Sequence, residues 1–371
     1  MKELGNFETV GRIRDIPNLT FDIDSFDVST EIEALLTFTD PSTTVAGSLF
    51  NLSKSVPLDV ISPFKPGSQI FTTPKGVVCP YLTLESSAYK FGVKADAQQT
   101  HTLRGDSYFF VPGTPYYQEY AGDGVTGPHS FTNTAVVYNY AGASTYALGV
   151  CVVHADGTYK RLFHTVDYTD SPSGFTLLDP TVAPLTSTIR VVYGSTTIAT
   201  YPQSVHQGVS VKPAALRGKD IDVYVGTNAA TPVFTRWTSV QSVDVTRKVT
   251  LDADEEFGNP MFVGQDYDVP DVTGSIMVRP RDLDDLYAKV FQVANVNPAE
   301  VAGPHTSVAL PVEIRLSDPD THVRLKTFYI PDARFIIPGI QGRVGQKTEV
   351  PFPFTSDSGT LYIYKGNRAG T

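Results

Sequence analysis

The side chains able to do chemistry in this chain are few and dispersed. Seven histidines stand at positions 101, 129, 154, 164, 206, 305 and 322. No two of them share a helix face at metal-binding spacing and no His-Glu-x-x-His occurs, so they read as isolated surface or core residues rather than ligands or bases. Two cysteines, Cys79 and Cys151, cannot build a disulfide framework, and the short Cys/His spacing of a zinc site is missing. They read as small buried apolar residues. The stretch Asp318-Pro319-Asp320-Thr321-His322 has the composition of a metal loop but the order of a turn between strands. Arg104-Gly105-Asp106 spells an adhesion tripeptide, placed where a strand gives way to a turn. No phosphate-cradling glycine loop, nucleophile elbow or carboxylate pair with a supporting base is present, so the expectation is a protein that is not an enzyme and needs no cofactor or metal.

The densest charge is acidic. Residues 251–259 (LDADEEFGN) carry Asp252, Asp254, Glu255 and Glu256, without the Asp-x-Asp-x-Asp-Gly order and distant Glu of a calcium loop. Across 371 residues there are 39 acidic and 29 basic side chains, a net charge of −10 that argues against a phosphate-neutralising surface over the whole molecule. With 41% hydrophobic and 18% charged residues the chain is neither a coiled coil nor a disordered tail. The first ten residues, MKELGNFETV, lack the apolar core of a signal peptide, and no run approaches the roughly 20 apolar residues that span a bilayer. A soluble protein made in a reducing cytoplasm is expected, with no membrane partner.

The elements that must position these residues are strands. Nineteen tyrosines and 21 phenylalanines accompany many Val and Thr residues in short runs broken by Gly, Pro, Asn and Asp. Residues 145–153 (TYALGVCVV) and 158–165 (TYKRLFHT), joined through Asp156-Gly157, predict a hairpin because glycine supplies the positive φ of the turn. Two stretches predict helix. Residues 29–37 (STEIEALLT) place Ile32, Leu35 and Leu36 at helical spacing, with a short strand as the open alternative, and residues 281–294 (RDLDDLYAKVFQVA) join a first turn of aspartates to one apolar stripe. Residues 111–128 (VPGTPYYQEYAGDGVTGP) read as a long connection. The expected division is an N-terminal β domain at 1–128, a small immunoglobulin-like β-sandwich at 129–212 without the Cys and Trp pattern of an antibody domain, and a β domain at 213–371. Residues 45–49 (VAGSL) echo residues 272–276 (VTGSI), and 103–113 echo 216–226, which raises a duplicated domain against chance similarity.

The last 160 residues resemble a known family. Residues 216–226 (LRGKDIDVYVG), 240–250 (VQSVDVTRKVT), 256–259 (EFGN), 272–278 (VTGSIMV), the 281–294 helix, 326–337 (KTFYIPDARFII) and 354–366 (FTSDSGTLYIYKG) follow one another as in the tail tube proteins of tailed bacteriophages. The resemblance covers about two-fifths of the chain and is one of patterns rather than invariant residues. Residues 13–110 match less well, as a candidate second, diverged tube domain, and the central block resembles the immunoglobulin-like insertions of phage structural proteins.

That resemblance implies a mainly β fold: a tail-tube-type sandwich or barrel with one flanking helix, an inserted sandwich, and a second tube-like domain as an open alternative. It implies a virion tail subunit assembled in the host cytoplasm. Its partners would be copies of itself in rings of three or six and in stacked rings, the tape measure protein and transiting DNA in the lumen, and sheath, baseplate and tail terminator proteins. Asp244, Asp252 and Asp254 are the candidate lumen carboxylates, with strand alternation allowing only some of them to face inward. A tube-terminating or baseplate ring protein is the nearest alternative. Tyr116, Tyr117 and Tyr120 motivate a more distant one, a receptor- or carbohydrate-binding β protein.

Overall fold

A computed structural model describes residues 19–25, 30–39, 43–64, 75–93, 95–111, 113–140, 143–197, 216, 218–228, 230–254, 264–279, 308–336 and 349–368. The helix expected at 281–294 lies outside the described residues. The first part of the chain forms β1 (Leu19–Ser25), α1 (Glu31–Leu36), β2 (Leu49–Asn51), β3 (Leu58–Phe64), β4 (Lys75–Gly92), β5 (Ala95–Gly105) and β6 (Phe109–Val111). The middle forms β7 (Thr114–Ala121), β8 (His129–Ser130), β9 (Tyr138–Tyr140), β10 (Ala143–Thr145), β11 (Ala147–Val153), β12 (Tyr159–Leu162), β13 (Tyr168–Ser171), β14 (Gly174–Leu177) and β15 (Thr188–Ser195). The remainder forms β16 (Ile221–Gly226), β17 (Phe234–Arg236), β18 (Val240–Lys248), β19 (Leu251–Asp254), β20 (Gly264–Tyr267), β21 (Asp271–Val278), β22 (Ala309–Ser317), β23 (Arg324–Phe335), β24 (Val350–Ser356) and β25 (Tyr362–Lys365). The fold is mainly β, as the composition predicts.

Both ends of the chain build one body. A 14-stranded sheet follows the order β1-β5-β4-β18-β21-β24-β23-β22-β16-β17, with β2, β25, β3 and β6 attached off this path. The N-terminal strand β4 pairs with the C-terminal β18 from Ser242↔Gly92 to Lys248↔Ser86, so the end segments share a ladder instead of closing separately. The sheet folds over a single core. Tyr89 and Phe91 of β4 meet Phe328 of β23 at ring-centroid distances of 4.7 and 5.6 Å, and Trp237 packs on Phe335 and Phe352. The echo between 45–49 and 272–276 does not join equivalent elements. The first holds a turn at Gly47 (φ +90°), and the second lies inside β21.

The central strands make a two-layer sandwich, β12-β11-β15-β7 over β13-β14-β8. Its core includes Val150, Ile189 and Phe175, with Phe131 stacked on Tyr193 at 4.4 Å. The Asp156-Gly157 hairpin forms, with Gly157 at φ +85° and Asp156 accepting from the Thr158 backbone N–H. The connection expected over 111–128 is corrected in part. Thr114–Ala121 is a strand paired with β15 along its whole length, because Tyr116 enters the sandwich core while β15 covers its backbone. Strand pairing thus begins the sandwich before residue 129.

The sandwich is held to the body by two apolar patches and two buried ion pairs. Val78, Phe109 and Val111 pack against Leu148 and Val192, and Val56 against Cys151 and Val153. Arg190 pairs with Asp59 at 2.6 Å, and Arg161 pairs with Asp106. Asp59 also accepts the backbone N–H of Tyr81, which holds a left-handed φ of +59° where β4 turns from its partners β3 and β6 toward β5 and β18. The tripeptide Arg104-Gly105-Asp106 is therefore structural: Asp106 is buried in its ion pair, and a Cβ on Gly105 would come within 2.5 Å of Leu82.

Candidate functional site: the solvated face of the hairpin sheet

Four long strands, β5-β4-β18-β21, form two neighbouring hairpins with one face on the core and one in solvent. Alternation decides which residue goes where. In β18, Val243, Val245 and Arg247 point to the core while Asp244, Thr246 and Lys248 point out. In β5, Ala97, Gln99, His101 and Leu103 are buried, and the intervening Gln98, Thr100 and Thr102 are more exposed. The outer face is consequently polar and built mostly from short side chains. Across one row stand Thr100, Ala88, Thr246, Thr273 and Thr355; across the next stand Gln98, Lys90, Asp244, Ser275 and Pro353.

Of the three carboxylates expected from the sequence, Asp244 lies on this face. Its acidity is set by opposing causes: crowding by the sheet pushes its pKa up, while Lys90 across the strand pair and the Ser275 N–H pull it down. Asp252 is exposed on β19, which pairs with β20 as an extension of the β18–β21 hairpin. Asp254 ends β19, directly opposite Gly264 in register. Sequence reasoning missed the carboxylates of β1. Asp22 and Asp24 are exposed at the margin of the same face and accept the Thr102 and Thr100 hydroxyls at 2.8 and 2.6 Å. Their signal is the alternation in residues 19–25 (LTFDIDS), which places both aspartates on one side. With Lys90 opposite Asp244 and Asp271 opposite Lys248, the face carries both signs rather than a purely acidic set.

Behind the face lies a buried polar cluster. Ser87 bonds His101 Nδ1 at 3.0 Å, and Tyr89 donates to Glu33 of α1, which pairs with Lys326 of β23; Gln99 accepts from Lys326 at 3.1 Å. Burial drives the His101 pKa down to about 4, with Lys326 adding to the fall and Glu33 opposing it. Desolvation would raise Glu33, but the Lys326 ammonium and His101 outweigh it and its pKa stays low. This arrangement ties α1 and the two halves of the sheet together. Among the described residues no group of three or more His, Cys, Asp or Glu is placed to hold a metal, and no helix is long and apolar enough to cross a membrane.

The opposite outer face, carried by β16, β22, β23 and β25, has another chemistry. Glu313 is fully buried between Arg315 and Arg368, the latter at 2.7 Å. Arg315 lies 4.0 Å over the Tyr224 ring and Arg368 lies 4.3 Å over Tyr329, which stacks on Tyr362. Large aromatic and guanidinium groups replace the short polar ones.

No family model matches the chain, and no curated protein does. Among solved structures, it is similar to a chain of the anti-feeding prophage (AFP) baseplate, determined by cryo-EM with 6-fold symmetrisation. The identity is 12% and the TM-score 0.26, over 39% of this chain and 92% of that one.

Proposed function

We propose that this chain is a structural subunit of a bacteriophage tail, and specifically of the tail tube, with the β5-β4-β18-β21 face lining the conduit. The observation that carries this reading is the face itself. Its exposed rows carry short Thr and Ser hydroxyls, and its charges are of both signs with carboxylates in excess, Asp22, Asp24, Asp244 and Asp271 against Lys90 and Lys248. Such a wall gives a passing phosphate backbone neither a cationic patch to bind nor a large apolar step to stick to. Charges on it act over about 8–10 Å at physiological salt, and the acidic excess repels rather than holds DNA moving along the bore. The family resemblance of residues 216–371 points the same way.

Strand β1 pairs with β5 on one side and lies at the end of the sheet order among the described residues, which suits edge-to-edge joining of copies. Because both ends of the chain pool their strands into one body, six copies per ring suit the architecture better than three. In this reading the tape measure protein and DNA occupy the bore, and the protein resides in the virion tail after assembly in the host cytoplasm. It performs no catalysis and uses no cofactor. Negative-stain images of the purified protein test the proposal. Tubes of constant bore are expected. Single rings that never elongate would move the reading to a tube-terminating or baseplate ring, and persistent monomers would overturn it.

A further inference from the structure

The Tyr/Arg face carries charge that its own chain does not neutralise. Arg236 pairs with Asp222, and Glu313 is shared by Arg315 and Arg368. Arg324, half-buried beside Arg315, is left over: its Nε and Nη1 are enclosed and have no hydrogen-bond partner among the described residues. Three of these four guanidiniums pair with Asp222 and Glu313, and Arg324 is in no ion pair among the described residues. Enclosed donors without acceptors are costly, and an acceptor brought from outside removes the cost. Tyr and Arg are also the side chains most enriched at the energetic centres of protein interfaces.

The inserted sandwich carries the reverse imbalance. Over residues 114–197 the acids are Glu119, Asp123, Asp156, Asp167, Asp170 and Asp179, and the bases are Lys160, Arg161 and Arg190. Both arginines are used in buried pairs with the body, and Lys160 pairs with Asp167. Asp123, Asp156 and Asp179 are exposed and in no ion pair among the described residues. They sit at one end of the sandwich, because Thr188 of β15 pairs with both Ala121 and Val153, and Leu177 donates to Thr126.

We propose that the Tyr/Arg face is the seat of a neighbouring copy of this chain, which docks the acidic end of its inserted sandwich around Arg324. This rests on the reading of the chain as a self-assembling subunit. The contact is heterologous, one surface meeting a different one, so it propagates from copy to copy. Every subunit then needs its insertion to hold the next.

Charge exchange tests it. R324E, and separately the double variant D156K/D179K, are expected to weaken self-assembly in sedimentation velocity by more than about tenfold, with unfolding transitions like that of the wild type. An equimolar mixture of the two restores assembly, because each mismatched surface then meets a complement on the other variant. If both variants assemble like the wild type into tubes, the contact is wrong and the tube reading stands. If R324E alone disrupts assembly and the mixture gives no rescue, the occupant is something other than the sandwich end. A wild-type chain that stays monomeric at all concentrations overturns both the contact and the tube reading.

Discussion

The two outer faces of the body share one core and differ in almost every other respect. The hairpin face is made mostly of Thr, Ser, Asp and Lys in short pairwise contacts such as Thr100–Asp24 and Thr102–Asp22. The Tyr/Arg face is a connected structure in which Glu313 is buried by two arginines and the arginines lie on aromatic rings. A sheet face that must stay wet and passive needs short hydrated groups that release what passes over them. A face that must hold a partner needs large groups already fixed in place, so that little rotamer entropy remains to be lost on docking. The contrast separates conduit from contact surface within one fold.

Substitutions should divide along the same line. The largest effect is expected between the faces, where Lys326 and Glu33 are both fully buried. Lys326→Ala strands the Glu33 carboxylate and should cost about 3–5 kcal/mol in urea denaturation; a loss near zero would show that the pair does not tie the layers together. Next comes pH. His101 has a folded pKa depressed to about 4 from an ordinary 6.5, so the unfolded chain binds the proton more tightly. Its contribution is full above about pH 6.5 and is lost as pH falls toward 4, about 3 kcal/mol in all. His101→Gln should flatten the stability profile over that window, and an unchanged slope would place the titration elsewhere.

On the Tyr/Arg face, Glu313→Ala leaves two partly solvated arginines facing one another and should cost about 2 kcal/mol in thermal or chemical unfolding. On the hairpin face the same kind of truncation should hardly register. Thr246→Ala is expected to change stability by less than about 0.5 kcal/mol. If Thr246→Ala proves as damaging as Glu313→Ala, the distinction between a passive and a structured face collapses.

The sequence revealed the fold class and the Asp156-Gly157 hairpin, and of the helix and strand it left open near residue 30 the helix Glu31–Leu36 forms; each depends on local signals: alternation, a turn glycine, a 3.6-residue period. It hid what depends on distant pairing. Thr114–Ala121 looked like a loop because Pro115 and the surrounding glycines mask a strand whose partner, β15, lies 67 residues away in sequence at the Thr188↔Ala121 pair and 81 at the Ser195↔Thr114 pair. Nothing local to residues 29–37 marks Glu33 for burial, and only Lys326, brought over it by the folding of the sheet, makes it a core residue. The candidate wall was partly legible: Asp244 was named through the tail tube resemblance, whereas Asp22 and Asp24 enter the same face through β1–β5 pairing, and Lys90 alters the expected acidity through a register no local pattern encodes.

A reconstruction of the self-assembled protein by electron cryo-microscopy decides which face lines the bore, through the radial position of Asp244 and its row. Rings stacked into a tube are expected, with Asp244, Thr246 and Lys90 on the inner wall and Tyr224 and Arg324 turned away from the bore. A tube or ring with the Tyr/Arg face lining the bore and Asp244 on the outside would contradict that assignment.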